Sequence, residues 1–332
     1  MRIAVFDSKR YDRAALTKAN TEFGHKLEFF EDRLNRSTVP LAAGFDAVCP
    51  FVNDRVDAAT IEELARLGVK LITLRSAGFN SVDINAAAQH GIKVMRVPAY
   101  SPEGVAEHVF ALLLTLVRRT HRAYVRVRDG NFSLEGLVGF NLHGRTFGVV
   151  GAGKIGIATL RIARGFGMKL LAYDRTPDNP YVTELGGENV SLEELLERAD
   201  IVSLHTPLTA ETHHMINADV LFRMKRGSVI INTSRGGLID TESLLVALKA
   251  GQIGGVGLDV YEREEGIFFE DLSYTALQDD LLARLTTFPN VVITSHQGFL
   301  TEEALTNIAE TVLANATTFE QGAPLINEVL PT

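Results

Sequence analysis

The chain has 332 residues, enough for about two domains, and its 46% hydrophobic and 22% charged residues are typical of a globular protein. Its formal net charge of −8 and the lack of a basic stretch argue against nucleic acid or an anionic membrane as the main partner. The single cysteine, Cys49, cannot form an internal disulfide. With no apolar run long enough for a signal peptide or a membrane span, the sequence predicts a cytoplasmic protein.

Short apolar runs alternate with helix-like segments along the whole chain. The predicted strands are Ile3–Phe6, Ala47–Phe51, Lys70–Leu74, Lys93–Val97, Thr146–Val150, Lys169–Tyr173, Ile201–His205, Val229–Thr233, Gly255–Leu258 and Val291–Thr294. Most are continuous Val, Ile and Leu runs, as expected of parallel strands that helices cover on both faces. The sequence therefore predicts an α/β fold with a mostly parallel sheet.

Several predicted helices have readable start signals. A capping box at Ser191–Glu194 and a capping Asp240 each precede a helix, and Thr301 starts another that runs to about Gln321. The long segment Ser101–Arg128 begins with an N-cap serine and a proline at the first helical position. It separates the two sets of strands, so we place a domain boundary near Tyr100–Ser101.

A glycine-rich motif follows the predicted strand that ends at Val150. Gly151-Ala152-Gly153-Lys154-Ile155-Gly156 matches G-x-G-x-x-G between a strand and a helix, the context in which it binds a dinucleotide pyrophosphate. Asp174, eighteen residues beyond Gly156, is placed to accept hydrogen bonds from ribose hydroxyls and favours NAD over NADP. Arg175 weakens that preference, because an arginine can hold a 2′-phosphate.

Polar side chains follow several later strands, where ligands of open α/β sheets bind. Arg235 can grip a carboxylate with two parallel hydrogen bonds, and His296 can exchange a proton with a hydroxyl. Glu264 can orient His296 and raise its pKa. Each residue alone is more often a surface or structural group. Together with the dinucleotide-binding turn Gly151–Gly156, called the cradle below, the three predict hydride transfer on a hydroxy acid.

The adjacent histidines His213 and His214 lie in a polar loop. They lack the spacing of metal ligands along the chain, so the sequence predicts no metal site there.

Four motifs carry a resemblance to a known family. They are Val149-Val150-Gly151-Ala152-Gly153-Lys154-Ile155-Gly156, Asn232-Thr233-Ser234-Arg235-Gly236-Gly237, Gly257-Leu258-Asp259-Val260-Tyr261 and Thr294-Ser295-His296-Gln297-Gly298-Phe299. Over essentially its whole length the chain resembles the D-specific 2-hydroxyacid dehydrogenases, and within that family the bacterial fermentative D-lactate dehydrogenases most. The stretch Gly266–Asp271 is also similar to that branch.

The resemblance implies roles for individual residues. Arg235 would bind the substrate carboxylate, and Glu264 would pair with the catalytic histidine, His296. The residues expected to contact substrate are Ala77 and Gly78 through their backbone, Tyr100, Arg235, His296 and Phe299. The residues expected to contact the cofactor are Gly151, Gly153, Lys154, Ile155, Gly156, Asp174, His205, Thr206, Pro207, Thr233, Ser234 and Asp259. Tyr100 and Phe299 have core packing at the domain boundary as their alternative.

The resemblance also implies the domain organisation. Two Rossmann-like domains, each a doubly wound parallel sheet, are expected: a discontinuous substrate domain of residues 1–100 and 299–332, and an NAD-binding domain of residues 101–298. A homodimer, formed partly through the helix after Ser101, is expected as well. The chain departs from many members in having Glu265 after Glu264, where they carry a proline, and this leaves Glu262 or Glu265 as alternative partners of His296.

The expected activity is NADH-dependent reduction of pyruvate to D-lactate, with His296 as the general acid and without a metal. The alternatives are an enzyme of the same family that prefers a bulkier 2-keto acid, and an NAD-sensing corepressor that binds the dinucleotide without turnover. The lack of an extended disordered tail or linker argues against the corepressor.

Overall fold

A computed structural model of the chain describes residues 1–176 and 178–331. The chain divides into two compact units, Met1–Ser101 together with the segment from Phe299 onward, and Pro102–Gly298. This partition lies within one residue of the boundary expected from the sequence. The assignment of substrate to the first unit and of cofactor to the second stays a prediction.

The first unit is built on a five-stranded sheet. Its N-terminal part contains β1 (Arg2–Val5), α1 (Arg10–Phe23), β2 (Lys26–Phe29), β3 (Ala47–Cys49), α2 (Ala58–Arg66), β4 (Leu71–Thr73), α3 (Ile84–Gln89) and β5 (Lys93–Met95), with a 3-10 turn at Val39–Ala42. The strand order is β2-β1-β3-β4-β5, and all neighbouring strands are parallel.

The second unit is built on a seven-stranded sheet. Its elements are α4 (Pro102–Arg118), α5 (Thr120–Arg128), β6 (Thr146–Val150), α6 (Lys154–Gly165), β7 (Lys169–Tyr173), α7 (Pro180–Glu184), β8 (Glu188–Asn189), α8 (Leu192–Arg198), β9 (Ile201–Leu204), α9 (Ala218–Arg223), β10 (Ser228–Asn232), a 3-10 turn at Gly236–Leu238, α10 (Thr241–Lys249), β11 (Ile253–Leu258), α11 (Asp280–Thr286) and β12 (Val291–Ile293). The order β12-β11-β10-β9-β6-β7-β8 is parallel throughout.

The C-terminal helix α12 (Glu302–Glu320) belongs to the first unit. The Thr301 side chain caps its start by accepting a hydrogen bond from the Ala304 backbone N–H. Its apolar face, including Val312 and Leu313, packs with Ile3 of β1 in one buried cluster. When helices cover both faces of a parallel sheet, successive strand residues can all be apolar, since each one faces a helix.

The same rule is visible within single strands of the second unit. Val149 and Val150 are consecutive in β6, but Val149 packs into the cluster with α4 and α6, and Val150 into the cluster with α8, α9 and α10. Successive strand side chains point to opposite faces, so a strand covered twice needs an uninterrupted apolar run. The predicted α/β class with parallel sheets is confirmed.

Three details differ from the sequence-based prediction. The edge strands β2 and β8 were not predicted, because β2 alternates exposed and half-buried residues and β8 has only two residues. The predicted continuous helical segment Ser101–Arg128 is divided at Arg119, whose φ of 51° is left-handed. A non-glycine residue in that region breaks the helical hydrogen-bond pattern.

Among the helices of residues 1–176 and 178–331, none combines the length and apolar composition needed to cross a bilayer.

Candidate active site

The glycine motif forms a tight turn between β6 and α6. Gly151 has a φ of 101°, and a β-carbon there would lie 2.8 Å from the carbonyl carbon of His205. A β-carbon on Gly156 would lie 2.1 Å from the Gly151 carbonyl oxygen, so close packing of helix on strand requires glycine at both positions. Gly153 differs, because a β-carbon there would meet nothing within 4 Å. Its backbone is therefore open to a ligand at the start of α6, where Lys154 and Ile155 form the first turn.

Asp174 follows β7 and lies beside this turn. Its carboxylate accepts hydrogen bonds from the backbone N–H groups of Ala152 (2.7 Å) and Thr176 (3.0 Å). The neighbouring Arg175 is exposed and lies 3.7 Å from Glu211. Asp174 is thus attached to the cradle itself, in the position from which an acid can contact an adenosine ribose.

The loops after β9 and β10 meet near the cradle. Ser234 donates its hydroxyl to the Thr206 carbonyl at 2.6 Å, and the Pro207 carbonyl accepts the Thr212 hydroxyl at 2.7 Å. The hydroxyl of Thr233 is buried and has no hydrogen-bond partner within residues 1–176 and 178–331. A buried polar group without a partner is costly unless a ligand satisfies it. The Thr233 hydroxyl and the open space at Gly153 both fit a polar ligand such as a dinucleotide.

His205 reaches this region through its backbone rather than its ring. The ring lies 2.9 Å from the Ser203 hydroxyl and 3.4 Å from that of Thr159. Burial lowers the pKa of His205 to about 3, which keeps the ring neutral. The structure therefore gives this imidazole a packing role, while its carbonyl group abuts Gly151.

His296 and Glu264 form the charged pair of the site. His296 Nδ1 lies 2.8 Å from Glu264 Oε1, and the other carboxylate oxygen accepts the Tyr261 backbone N–H at 3.0 Å. Both side chains are about one-fifth exposed, at 18% and 22%. Since Nδ1 faces the carboxylate, Nε2 is the nitrogen left for a substrate oxygen. The alternative partner Glu262 lies instead 2.6 Å from His214 Nε2.

Asp259 holds the backbone of the segment that carries His296. Its carboxylate accepts hydrogen bonds from the backbone N–H groups of Gln297 (2.9 Å) and Gly298 (2.8 Å), and its carbonyl accepts that of His296 (2.7 Å). His296 has a φ of 52°, an uncommon conformation for a non-glycine residue, which needs such support. The cofactor role of Asp259 stays a prediction, and these hydrogen bonds join Asp259 to the segment His296–Gly298.

His108 on α4 was not identified from the sequence. Its Nε2 lies 3.1 Å from Asp259 Oδ1, and Thr294 donates its hydroxyl to the same oxygen. Burial acts to raise the pKa of Asp259, but the hydrogen bonds from His108 and Thr294 hold it below its usual value. The sequence carries no signal for this contact, because His108 is one polar residue on an otherwise amphipathic helix.

Arg235 follows β10, two strands away from β12, which precedes His296. The Asn232 side chain fixes its backbone by donating to the Arg235 carbonyl at 2.9 Å, and its guanidinium donates to the Ser234 carbonyl at 2.7 Å. A β-carbon on Gly236 would lie 2.0 Å from the carbonyl carbon of Tyr261. The turn of Arg235 therefore packs directly on the loop that leads to Glu264.

The predicted substrate loop lies in the first unit, after β4. Ser76 donates its hydroxyl to the Gly78 carbonyl at 2.7 Å, and Arg96 donates to the Ala77 carbonyl at 3.0 Å. These contacts hold the loop through its carbonyl oxygens. Neither contact involves the backbone N–H groups of Ala77 and Gly78, which the predicted role requires as donors to a carboxylate.

Tyr100 and Phe299 also lie together in the first unit. Their ring centroids are 6.4 Å apart, and Phe51 and Tyr11 lie 6.4 Å and 6.5 Å from Phe299. This aromatic cluster follows the carboxyl ends of β3 and β5. The pocket role predicted for Tyr100 and Phe299 stays a prediction.

Comparison with known proteins agrees with these features. Residues 110–298 match the family described as D-isomer specific 2-hydroxyacid dehydrogenase, NAD binding domain. The chain is 53% identical to a 2-hydroxyacid dehydrogenase homolog of Haemophilus influenzae, with 100% of both chains covered. It is 51% identical to the D-lactate dehydrogenase of Escherichia coli, covering 99% of this chain and 100% of that one. The apo structure of the Escherichia coli enzyme superimposes with a TM-score of 0.91 at 49% identity, covering 99% and 100% of the two chains.

Proposed function

Because the chain belongs to the D-isomer specific 2-hydroxyacid dehydrogenase family of NAD-dependent oxidoreductases, we propose that it reduces pyruvate to D-lactate with NADH. The observation that carries the proposal is the His296–Glu264 pair at 2.8 Å, held on the same sheet edge as Arg235 and the glycine cradle. The full-length similarity to the Escherichia coli D-lactate dehydrogenase supports pyruvate as the substrate.

The proposed chemistry divides the work between Arg235 and His296. Arg235 binds the pyruvate carboxylate, because a guanidinium fork matches two carboxylate oxygens. NADH, when bound, supplies the hydride for the carbonyl carbon. Protonated His296 donates a proton from Nε2 to the carbonyl oxygen, which completes the hydroxyl group. Glu264 stabilises the imidazolium before that transfer and orients its ring.

The cofactor would be held by the turn Gly151–Gly156 and by Asp174. The α6 N-terminus directs its free backbone N–H groups toward a pyrophosphate. The carboxylate of Asp174 accepts from ribose hydroxyls and repels a 2′-phosphate, which supports NAD over NADP. Thr206, Thr233 and Ser234 border the same cradle and are proposed as further cofactor contacts, as are His205, Pro207 and Asp259.

The substrate contacts outside this unit are also proposals. The backbone of Ala77 and Gly78 is assigned to the carboxylate, and Tyr100 and Phe299 to the methyl group. The aromatic cluster around Phe299 supports a small apolar wall rather than an open pocket.

We further propose a homodimer in the cytoplasm. Residues 120–138 expose several large apolar side chains: Tyr124 (63%), Val125 (55%), Val127 (51%), Phe132 (75%), Leu134 (79%) and Val138 (84%). Large exposed apolar side chains concentrated in one segment of the chain favour a protein interface. The single buried Cys49 supports a reducing compartment.

The proposed activity is tested by NADH oxidation with pyruvate, 2-ketobutyrate, phenylpyruvate and hydroxypyruvate. We expect the highest kcat/KM with pyruvate and a D-configured product. A preference for phenylpyruvate would retain the mechanism and replace the substrate. Tight NADH binding without turnover of any of the four acids would contradict the enzyme proposal and favour a dinucleotide sensor.

A further inference from the structure

Two adjacent histidines and a glutamate form a cluster outside the proposed active-site chemistry. The rings of His213 and His214 stack with centroids 3.9 Å apart. His214 Nε2 lies 2.6 Å from Glu262 Oε1, and the ligand atoms of all three residues lie within 4.8 Å of one another. His213 is exposed and the other two are half-buried, so the cluster is open to solvent on one side.

Two imidazoles and one carboxylate are a ligand set that zinc and similar divalent transition metals use in proteins. Three protein ligands leave a coordination position for water. Ligand atoms on one zinc ion at about 2.0–2.1 Å lie roughly 3.3 Å apart. The His214–Glu262 contact at 2.6 Å must therefore open slightly on binding, which a half-buried carboxylate permits.

A further residue orients the carboxylate of Glu262. Thr241, at the start of α10, donates its hydroxyl to Glu262 Oε2 at 2.9 Å. Hydrogen bonds that orient a metal-binding carboxylate are a regular part of such sites.

The backbone around the histidines is also constrained. His214 has a φ of 50°, and its N–H donates to the Gly237 carbonyl at 2.8 Å. The His214 ring contacts Glu262, which lies 48 residues further along the chain. The chain spacing around the two histidines could not reveal the third ligand, which is why the sequence predicted no metal.

From this geometry we propose that His213, His214 and Glu262 bind one divalent transition metal ion of the zinc type. The proposed ligands include neither His296 nor Glu264. A bound ion ties the loop of His213 to the loop of Glu262 and stabilises the folded chain by mass action.

The test is calorimetric titration of the full chain with Zn²⁺ alone. We expect one site per chain and a higher melting temperature with Zn²⁺, because an ion that binds only the folded chain stabilises it. His213→Asn carries the test, since this side chain is exposed and its loss leaves the His214–Glu262 contact in place. Its affinity for Zn²⁺ should fall at least tenfold, and Thr241→Val should weaken binding by about 10–100-fold.

Two control variants make the outcome unambiguous. His90→Asn replaces an exposed histidine of the first unit and should bind Zn²⁺ as the wild type does. His296→Asn should also bind normally, because the active-site pair is not part of the cluster. The proposal is overturned if the wild type binds no Zn²⁺, if His213→Asn binds it unchanged, or if His296→Asn abolishes binding instead.

Discussion

His296 is held by contacts to two different parts of the residue. Glu264 fixes the ring at Nδ1, and Asp259 fixes the backbone through the N–H groups of His296, Gln297 and Gly298. The ring contact determines which nitrogen faces a substrate, and the backbone contacts determine where that nitrogen lies. Both are needed for proton transfer, which requires hydrogen-bond distance in the reacting complex.

Replacement of His296 by alanine tests the general acid. We expect His296→Ala to lower kcat with pyruvate by roughly 10²–10⁴-fold, because the carbonyl oxygen loses its proton donor. NADH binding, measured by fluorescence titration, should be unchanged. The exposed His90→Ala is the matched control, and undiminished turnover in His296→Ala would remove this residue from the mechanism.

Replacement of Arg235 by lysine separates charge from geometry. Lysine keeps the positive charge but cannot form the two parallel hydrogen bonds of a guanidinium. Arg235→Lys should therefore raise the KM for pyruvate by about tenfold or more and lower kcat by less. Steady-state kinetics measures both constants. An unchanged KM would contradict the carboxylate-binding role.

Among the elements, the β6–α6 turn contains three glycines that differ in their surroundings. Gly151 needs its positive φ, Gly156 needs close packing, and Gly153 has open space at its β-carbon position. We therefore expect that a bound ligand, and not the protein itself, occupies the space that a side chain at position 153 would need. This distinction separates the folding role of the motif from its binding role.

A pair of alanine substitutions on the same helix tests that distinction. Gly153→Ala should leave the melting temperature nearly unchanged but raise the Kd for NADH about tenfold or more, because the methyl group occupies space that the pyrophosphate needs. Gly165→Ala, at the other end of α6, also meets nothing within 4 Å and should leave NADH binding unchanged. Equal NADH affinity in both variants would argue against a dinucleotide at this turn.

The elements that the sequence-based prediction missed are the edge strands and the helix break at Arg119. Strand β2 reads Lys-Leu-Glu-Phe and lies at a sheet edge, so it lacks the continuous apolar run of the central strands. The break at Arg119 depends on how α5 leaves α4, and α5 has no buried residue to mark its course. Edge strands and exposed helices carry a weak pattern because little of their surface is buried.

At the scale of the whole molecule, the buried neutral His205 makes stability depend on pH. Its pKa is lowered by burial to about 3, below its value of about 6.5 in the unfolded chain, so the unfolded chain binds more protons between these pH values. Stability therefore falls as the pH drops through this window.

A neutral replacement measures that contribution. On going from pH 7 to pH 5, the free energy of unfolding of the wild type should fall by about 2 kcal/mol more than that of His205→Gln. Urea denaturation at the two pH values measures the difference. Parallel losses in both proteins would show that His205 is not protonated on unfolding.

Local patterns of residues were sufficient to predict the main elements of the fold and the glycine turn. Continuous apolar runs predicted the parallel strands, and the motif Gly151–Gly156 with Asp174 predicted a dinucleotide cradle, because each pattern is read within one strand–helix unit. Arg235 and His296 were also candidates from sequence, since both follow strands of one sheet.

The contacts between side chains distant in sequence become visible only in the folded chain. Glu264 rather than Glu262 lies at His296, and Glu262 lies at His214. The resemblance favoured Glu264 among the three glutamates at 262, 264 and 265, but the residues alone do not rank them, since the direction of each side chain depends on the loop backbone. The anchoring of the His296 segment by Asp259 and His108 likewise joins residues far apart in sequence. Contacts of this kind follow from packing, which local spacing does not encode.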